Sequence, residues 1–255
     1  MTTWDPSNHG TSIVLSGNNL VATLNHVGNS NWNSVLTNTS KTAGKWYAEF
    51  VNTQIPSGGG VNIQFGFCLN DQNVNSYLCS QGNAGYVRSD MSSFDGAASG
   101  GITYLTANRG FTTASASDVI NFAIDTNAGK AWTGKNNTYG GNPAAGTNPT
   151  FTWTPAGQSW FVAWGCICQS GTPPDGIDTL QVGNQTYAPP AGFFPWDPPI
   201  AGWDPVIPRW PYPRLSRNVR GAALIFGHTG IDAPLVVPTP SVPPVGIGGY
   251  AWTEW

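Results

Sequence analysis

The sequence predicts an all-β protein, an antiparallel β-sandwich of short strands joined by tight turns. Charged residues are only 9% of the 255-residue chain, whereas Gly occurs 32 times and Pro 21 times. This composition offers few of the charged i,i+4 pairs that stabilise helices and favours turn-rich sheet. The clearest element is residues 118–136, where a strand with Ile120, Phe122 and Ile124 at alternate positions is followed by a Gly-containing turn and an apolar return strand, which is typical of a β-hairpin.

This hairpin supplies one apolar face to a core. Ile120, Phe122 and Ile124 are spaced two residues apart and therefore point to the same side of the outgoing strand. Gly129 fits the positive φ that a tight turn needs, and Trp132 gives the return strand a large apolar anchor. We expect the rest of the sheet to be built around hairpins of this kind.

The remaining strands are predicted from alternation or from short apolar runs. In chain order they are residues 13–15, 20–24, 44–50, 61–69, 161–166 and 179–182. Within the strand at 44–50, Trp46, Ala48 and Phe50 point to one side. The strand at 161–166 is largely apolar, so we expect it to be fully buried.

The connections carry the candidate binding residues. Residues 86–112 are rich in Gly, Ser and Asp, which is typical of recognition loops on a rigid sandwich. Tyr and Arg are the side chains that most often anchor a binding surface, although each of them could instead cap the core. The candidate partner-binding residues are Tyr77, Tyr86, Arg88, Phe94, Tyr104, Arg109 and Tyr139.

The composition changes at about Trp196. Residues 197–255 hold eleven of the 21 prolines, and proline lacks the N–H donor that a central strand needs. We therefore divide the chain into a β-sandwich, residues 1–196, and an extended Pro- and Trp-rich C-terminal arm, residues 197–255. The candidate anchoring residues of this arm are Trp203, Arg209, Trp210, Tyr212, Arg214, Leu215, Arg217 and Arg220.

The charge pattern does not favour a nucleic-acid partner. The net charge is −3, and the only cluster of basic residues is formed by the four arginines of the arm. Four charges bind phosphate weakly and in a salt-sensitive way, so we expect these arginines to pair with groups of neighbouring subunits.

Targeting signals and cofactor motifs are not predicted. No apolar segment follows Met1 and no run approaches the ~18 apolar residues of a membrane span, so we expect neither a signal peptide nor membrane insertion. Synthesis in a reducing cytosol predicts buried thiols rather than disulfides, and the spacing does not match a zinc site. The four cysteines are Cys68, Cys79, Cys166 and Cys168. We predict no metal and no cofactor.

Enzymatic alternatives rest on weak signals. Asp90 with Asp95, or Asp175 with Asp178, could form the carboxylate pair of a glycosidase, but all four lie in turn-rich sequence where Asp is common. Residues 71–75 begin like a calcium-binding loop, but the turn glycine and the bidentate glutamate of that motif are missing. We expect these aspartates and residues 71–75 to lie in turns, and we predict no catalytic residues.

Several segments together resemble the SPRY domain, and in particular its phage-borne relatives. They follow the family's order and extend over roughly residues 3–196. They are WDP at 4–6, GKWYAEF at 44–50, SDVI at 117–120, GKAW at 129–132, GNPA at 141–144 and YAPPAGF at 187–193. The resemblance implies a bent sandwich of two antiparallel sheets without catalytic machinery, whose edge loops bind partners that are usually proteins. The loops after Leu69 do not follow the family pattern, so no particular partner can be carried over.

The sequence thus leads to one main functional expectation. The chain is expected to be a non-enzymatic phage virion protein, made in the host cytoplasm and bound to other virion proteins through residues 197–255. A homo-oligomer is expected. The alternative is a receptor- or carbohydrate-binding tail module that contacts a host-surface protein or glycan through its loops, and a polysaccharide hydrolase is the least favoured possibility.

Overall fold

Strands make up nearly all of the regular structure. The computed structural model describes residues 1–25, 32–54, 62–80, 82–89, 94–108, 110, 114–167 and 176–197. Apart from Asp197, the predicted arm lies outside these residues, as do Arg109, Asp90, Asp175 and Cys168. The strands are β1 (Trp4–His9), β2 (Ile13–Ser16), β3 (Val21–Leu24), β4 (Asn33–Thr37), β5 (Lys45–Gln54), β6 (Asn62–Cys68), β7 (Ala84–Ser89), β8 (Phe94–Ala98), β9 (Thr103–Tyr104), β10 (Val119–Asp125), β11 (Lys130–Lys135), β12 (Thr138–Tyr139), β13 (Phe151–Thr152), β14 (Phe161–Ile167), β15 (Gly176–Gln181) and β16 (Phe194–Pro195).

The strands form two antiparallel sheets. Sheet A has the order β1-β4-β14-β6-β7-β8, and sheet B has the order β2-β3-β15-β5-β10-β11-β13-β9. The short strand β12 pairs with β11, and β16 adds to β5 in the parallel direction. Within the described residues the only helix is a 3₁₀ turn at Thr106–Asn108. The predicted antiparallel β-sandwich is confirmed.

The predicted hairpin is the β10–β11 pair. Its register runs from Ile120 opposite Lys135 to Asp125 opposite Lys130, so the turn falls at the predicted residues. Gly129 has a φ of 63°, and the backbone N–H of Ala128 donates to Asp125 Oδ1 at 2.9 Å. The other side of β10 pairs along its whole length with β5, which places the hairpin in the middle of sheet B.

Aromatic side chains fill the space between the sheets. The Phe50 ring from β5 lies 5.4 Å from Phe65 of sheet A and 5.6 Å from Phe122 of β10, measured between ring centroids. Trp4 stacks on the same ring at 6.1 Å. All four side chains are fully buried, and burial of each contributes on the order of 2–3 kcal/mol.

Both sheets are also covered on their outer faces, which the sequence did not indicate. Trp132 does not join the core of Phe122 but packs with Tyr47, Ala123 and Phe193 on the outer face of sheet B. Its position follows from the strand period, because Trp132 lies opposite Ala123 rather than opposite Phe122. The expectation that the hairpin has one buried face is therefore wrong: every residue of β10 is buried.

Two segments form these covers. Residues 184–197 lie over the outer face of sheet B, where Phe193 joins the Trp132 cluster and β16 pairs with β5. The loop at 69–83 lies over the outer face of sheet A, where Leu78 packs with Leu36, Tyr86 and Ala163. Each sheet is therefore buried on two sides near its centre.

The hairpin turn gives a direct test of the packing. A Cβ at Gly129 would meet the carbonyl oxygen of Trp153, whereas a Cβ at Gly157, which has a similar positive φ of 69°, would meet nothing within 4 Å. Gly157→Ala should cost only the conformational penalty of about 1–2 kcal/mol. Gly129→Ala should cost about 2 kcal/mol more, because the backbone must also move. Urea unfolding of both variants measures the difference, and equal costs would show that the Gly129 turn is not packed as described.

Candidate partner-binding surface

The loop at 69–83 is held in place by buried side chains of the sheet beneath it. Gln64 is fully buried on β6, and its Oε1 accepts the backbone N–H of Leu78 at 2.9 Å. Ser34 on β4 donates its hydroxyl to the Ser76 carbonyl at 2.6 Å. Because the loop's own backbone groups are satisfied from below, it has a defined conformation without regular secondary structure.

A second set of bonds is internal to the loop. Gln72 is nearly buried: its Oε1 accepts the N–H of Cys79 at 3.2 Å, and its Nε2 donates to the Tyr77 carbonyl at 3.1 Å. At the base of the loop, Asp71 accepts the Asn83 backbone N–H at 3.1 Å and the Asn83 amide at 2.8 Å. The two ends of the loop are thereby joined.

The calcium-like sequence at 71–75 is turn structure, as expected. Its three side-chain acceptors are already used by backbone N–H groups: Asp71 by Asn83, Asn73 by Asn75, and Asn75 by Thr11 at 3.0 Å. This is the ordinary role of Asp and Asn in turns. The last of these bonds also ties the loop to the turn between β1 and β2.

This braced loop presents Tyr77 to solvent. The Tyr77 side chain is 40% exposed, and its ring centroid lies 6.1 Å from that of Trp32 with the two planes at 60°. Exposed Asn73, Asn75 and Thr11 are its neighbours in the loop and in the turn bound to it. We call these five residues the Tyr77 surface.

The other predicted binding residues are placed differently. Tyr86 is only 8% exposed and belongs to the cluster beneath the 69–83 loop. Tyr104 packs on Phe151 with 5.2 Å between ring centroids, and Tyr139 packs against the Trp132 cluster. Arg88 is half-buried on β7, opposite Gln64, and Phe94 begins β8. Tyr86 and Arg88 therefore lie on a strand instead of in the predicted loop.

Tyr77 is the only residue of this surface among the predicted binding residues; sequence reasoning missed Thr11, Asn73 and Asn75, and it missed Trp32. Trp32 is a single tryptophan between a polar stretch and β4, and neither position nor pattern indicates that it meets Tyr77, which is 45 residues further along the chain. The only available signal was a large aromatic residue in a polar segment, which is a weak sign of a binding surface.

A fully buried carboxylate lies under the other cover. Glu49 on β5 accepts the Tyr47 hydroxyl at 2.5 Å and the backbone N–H groups of Thr186 and Tyr187 at 2.6 and 2.9 Å. Burial, together with the neighbouring Glu49 charge, raises the pKa of Tyr47, which keeps its hydroxyl a donor. Asn121 donates to the Tyr47 oxygen at 2.8 Å. Because none of these side chains reaches solvent, this cluster fixes residues 184–197 and does not form a ligand site.

Asp178 is a second buried carboxyl, but unlike Glu49 it accepts no hydrogen bond from the described residues. It is fully buried on β15, its two oxygens have no hydrogen-bond partner among the described residues, and it lies opposite buried Asn52 of β5. Burial raises the pKa of Asp178 well above its ordinary value, so the neutral acid is the favoured form. It is enclosed in the core and is not available as an exposed catalytic group.

The Asp178 environment predicts an unusual pH dependence. The folded protein holds the Asp178 proton more tightly than the unfolded chain does, so wild-type stability should fall as pH rises from about 4 toward the folded-state pKa, by at most about 1.4 kcal/mol per pH unit. Asn does not titrate. Asp178→Asn should therefore remove this slope and raise the free energy of unfolding at pH 7, as measured by urea unfolding between pH 4 and pH 8.

The matched control is the same substitution at Asp118. Burial alone would raise the pKa of Asp118, but bonds from the Ser115 N–H and the Asn136 amide, both at 2.7 Å, and Lys135 at 3.4 Å lower it. Asp118→Asn should therefore destabilise the protein at pH 7, and the difference from wild type should shrink in acid. A loss of stability at pH 7 in Asp178→Asn as well would contradict the assignment of Asp178 as a neutral acid.

The described cysteines are free thiols. Cys68 and Cys166 are fully buried, as predicted, whereas Cys79 is half-buried. Burial raises the pKa of Cys79 to about 12. In the described part of the chain no three His, Cys, Asp or Glu side chains are grouped so that they could hold a metal ion. The described residues also include no helix that is long and apolar enough to cross a membrane.

A pocket lies beside Asp197, near the end of the described residues. Its volume is about 430 Å³, and its walls include Leu20, Leu180 and Val182. Asp197 also lines it and accepts the backbone N–H of Thr2 at 2.7 Å. This bond, with the Asp197 N–H donating to the Val182 carbonyl at 2.8 Å, joins residue 197 to the sandwich.

The comparison with solved structures finds SPRY domains, whereas the comparisons by sequence find no match. No family model and no curated protein matches the chain. Among solved structures, the SPRY domain of human HERC1 is 14% identical with a TM-score of 0.45, and the match covers 69% of this chain and 96% of that one. The TRIM65 PSpry domain is 11% identical with a TM-score of 0.48 over 71% and 91%. A further human SPRY domain is 11% identical with a TM-score of 0.45 over 69% and 98%. These likenesses carry neither a partner nor a site to this chain.

Proposed function

We propose that the chain is a non-enzymatic structural protein of a phage virion. In this proposal the β-sandwich is an interaction module on the particle surface, and residues 197–255 anchor it to the capsid or tail. The observation that carries the interaction role is the braced 69–83 loop, which holds Tyr77 exposed beside Trp32. The phage context is supported by the sequence resemblance described above and by the composition of the arm.

The bracing matters because binding has an entropic cost. A loop that must become ordered on binding loses part of its interaction free energy, whereas a loop that is already fixed does not. Gln64, Gln72 and Ser34 fix the backbone on both sides of Tyr77 before any partner arrives. A half-exposed tyrosine on such a loop is a suitable anchor for a partner.

The anchoring role is assigned to the arm by its chemistry. Aromatic side chains and arginines separated by prolines suit an extended segment that packs along neighbouring virion proteins. The partners proposed for this arm are other virion proteins, with further copies of this chain among them.

Truncation tests whether the arm anchors the protein to the particle while the sandwich folds without it. The cut is placed after Asp197, because this residue is hydrogen-bonded to Val182 and Thr2. The truncated chain, residues 1–197, should remain soluble and unfold cooperatively, but it should be missing from particles made by the phage that encodes it. Tyr77→Ala in the full-length chain is the control and should be incorporated at the wild-type level. Normal incorporation of residues 1–197 would rule out the arm as the anchor.

A receptor-binding role of the same module is the second candidate function. The observation that favours it is the Tyr77 surface itself, since an exposed tyrosine on a fixed loop, in contact with a partly exposed tryptophan, is more than a purely structural role requires. This function needs a partner outside the particle, a host-surface protein or a glycan, and does not conflict with the anchoring role of the arm.

A further inference from the structure

We infer that the Tyr77 surface binds a neutral glycan. This inference rests on the proposed interaction role of the sandwich and names the chemical class of its ligand. Three properties of the surface carry it: two aromatic rings at an angle, amide donors in fixed positions, and the lack of unpaired charge among its described residues.

The rings provide the stacking element. Tyr77 is 40% exposed and Trp32 is partly exposed, and their planes meet at 60° with 6.1 Å between centroids. Two rings at this angle form a corner in which one ring can lie under the apolar face of a pyranose while the other contacts its edge. The Tyr77 backbone is held by Gln72, which donates to its carbonyl at 3.1 Å, so the main chain that carries the ring is fixed before a ligand binds.

The amides provide hydrogen bonds that are already oriented. Asn73 Oδ1 accepts the Asn75 N–H at 3.0 Å, and Asn75 Oδ1 accepts the Thr11 N–H at 3.0 Å. Each bond fixes which end of the amide is oxygen, and it leaves the Nδ2 donors of two exposed side chains for a ligand. The exposed Thr11 hydroxyl can both donate and accept. Sugar hydroxyls suit this set because each of them also donates and accepts.

The charge distribution selects a neutral ligand. Among the described residues of the loop at 70–83 and of the turn at 10–12, the only charged side chain is Asp71. Its carboxylate is taken up by Asn83 through two bonds, at 3.1 and 2.8 Å. Among these described residues an acidic sugar or a phosphate would find no cation. A protein partner is less well matched, because the exposed residues that accompany Tyr77 in the loop and the bound turn are Asn73, Asn75 and Thr11, whereas protein interfaces have an apolar centre.

A glycan array probed with the full-length protein tests the inference first, with neutral and acidic glycans printed side by side. We expect selective signals among neutral glycans. The best neutral oligosaccharide is then titrated against variants by calorimetry. Tyr77→Ala should weaken binding at least about tenfold, because the stacking ring is lost, whereas Tyr77→Phe should bind within about twofold of wild type.

Two further variants make the test specific. Asn73→Asp keeps the acceptor for the Asn75 N–H but removes the Nδ2 donor, so it should weaken binding several-fold without lowering the melting temperature. Phe194→Ala removes an aromatic side chain that is 58% exposed on β16 and should leave binding unchanged.

The outcomes separate this inference from the proposed function. Glycan binding that is insensitive to Tyr77→Ala would overturn this site. If no neutral glycan is selected, but the purified chain binds a purified virion or host-surface protein in a Tyr77-dependent way, the glycan inference is wrong and the interaction role stands. If neither glycan binding nor protein binding depends on Tyr77, both the glycan inference and the proposed interaction role fail.

Discussion

The structure depends on the burial of both faces of the central strands β5 and β10. On one face Phe50 and Phe122 meet at 5.6 Å in the core between the sheets. On the other face Glu49 and Asn121 lie with Tyr47 beneath residues 184–197, and every one of them is fully buried. A carboxylate without a basic partner is costly to bury, and here four donors stabilise it: the Tyr47 hydroxyl, the Asn121 amide and two backbone N–H groups. Two of these donors belong to the covering segment, so the segment and the charge stabilise each other.

The same principle fixes the loop on the opposite sheet. Gln64 is a buried polar residue of the sheet whose side-chain carbonyl is satisfied only by the backbone of a loop. Ser34 makes the equivalent contact from the neighbouring part of sheet A. In both covers, buried polar groups of a strand bind main-chain groups of an irregular segment, which gives such a segment one conformation. This is why a loop rich in Asn and Ser can hold an aromatic ring exposed in a fixed place.

Sequence periodicity predicted the core face and little of what lies outside it. The alternation of Trp46, Ala48 and Phe50, and that of Ile63, Phe65 and Phe67, correctly placed these side chains toward the space between the sheets. Periodicity does not show whether the second face is covered, and for that reason it does not reveal that Trp132 packs on the outer face of sheet B. The predicted binding residue Tyr77 is exposed, but its contact with Trp32 depends on how the 69–83 loop folds back onto sheet A, which no local pattern encodes.

The scarcity of charge determines how such a protein can bind. Its few described charges are largely paired within the sandwich: Lys45 lies 3.6 Å from Asp125, Lys135 lies 3.4 Å from Asp118, and the Lys41 ammonium lies 4.0 Å from the centre of the Trp46 ring. For the binding proposed at the Tyr77 surface, long-range attraction from the described sandwich should therefore contribute little, and affinity there should come from stacking and short hydrogen bonds at contact. Binding of this kind responds weakly to salt and strongly to ring geometry. The buried amides and hydroxyls that brace the 69–83 loop then matter as much for recognition as the exposed ring itself, because they keep that ring in place.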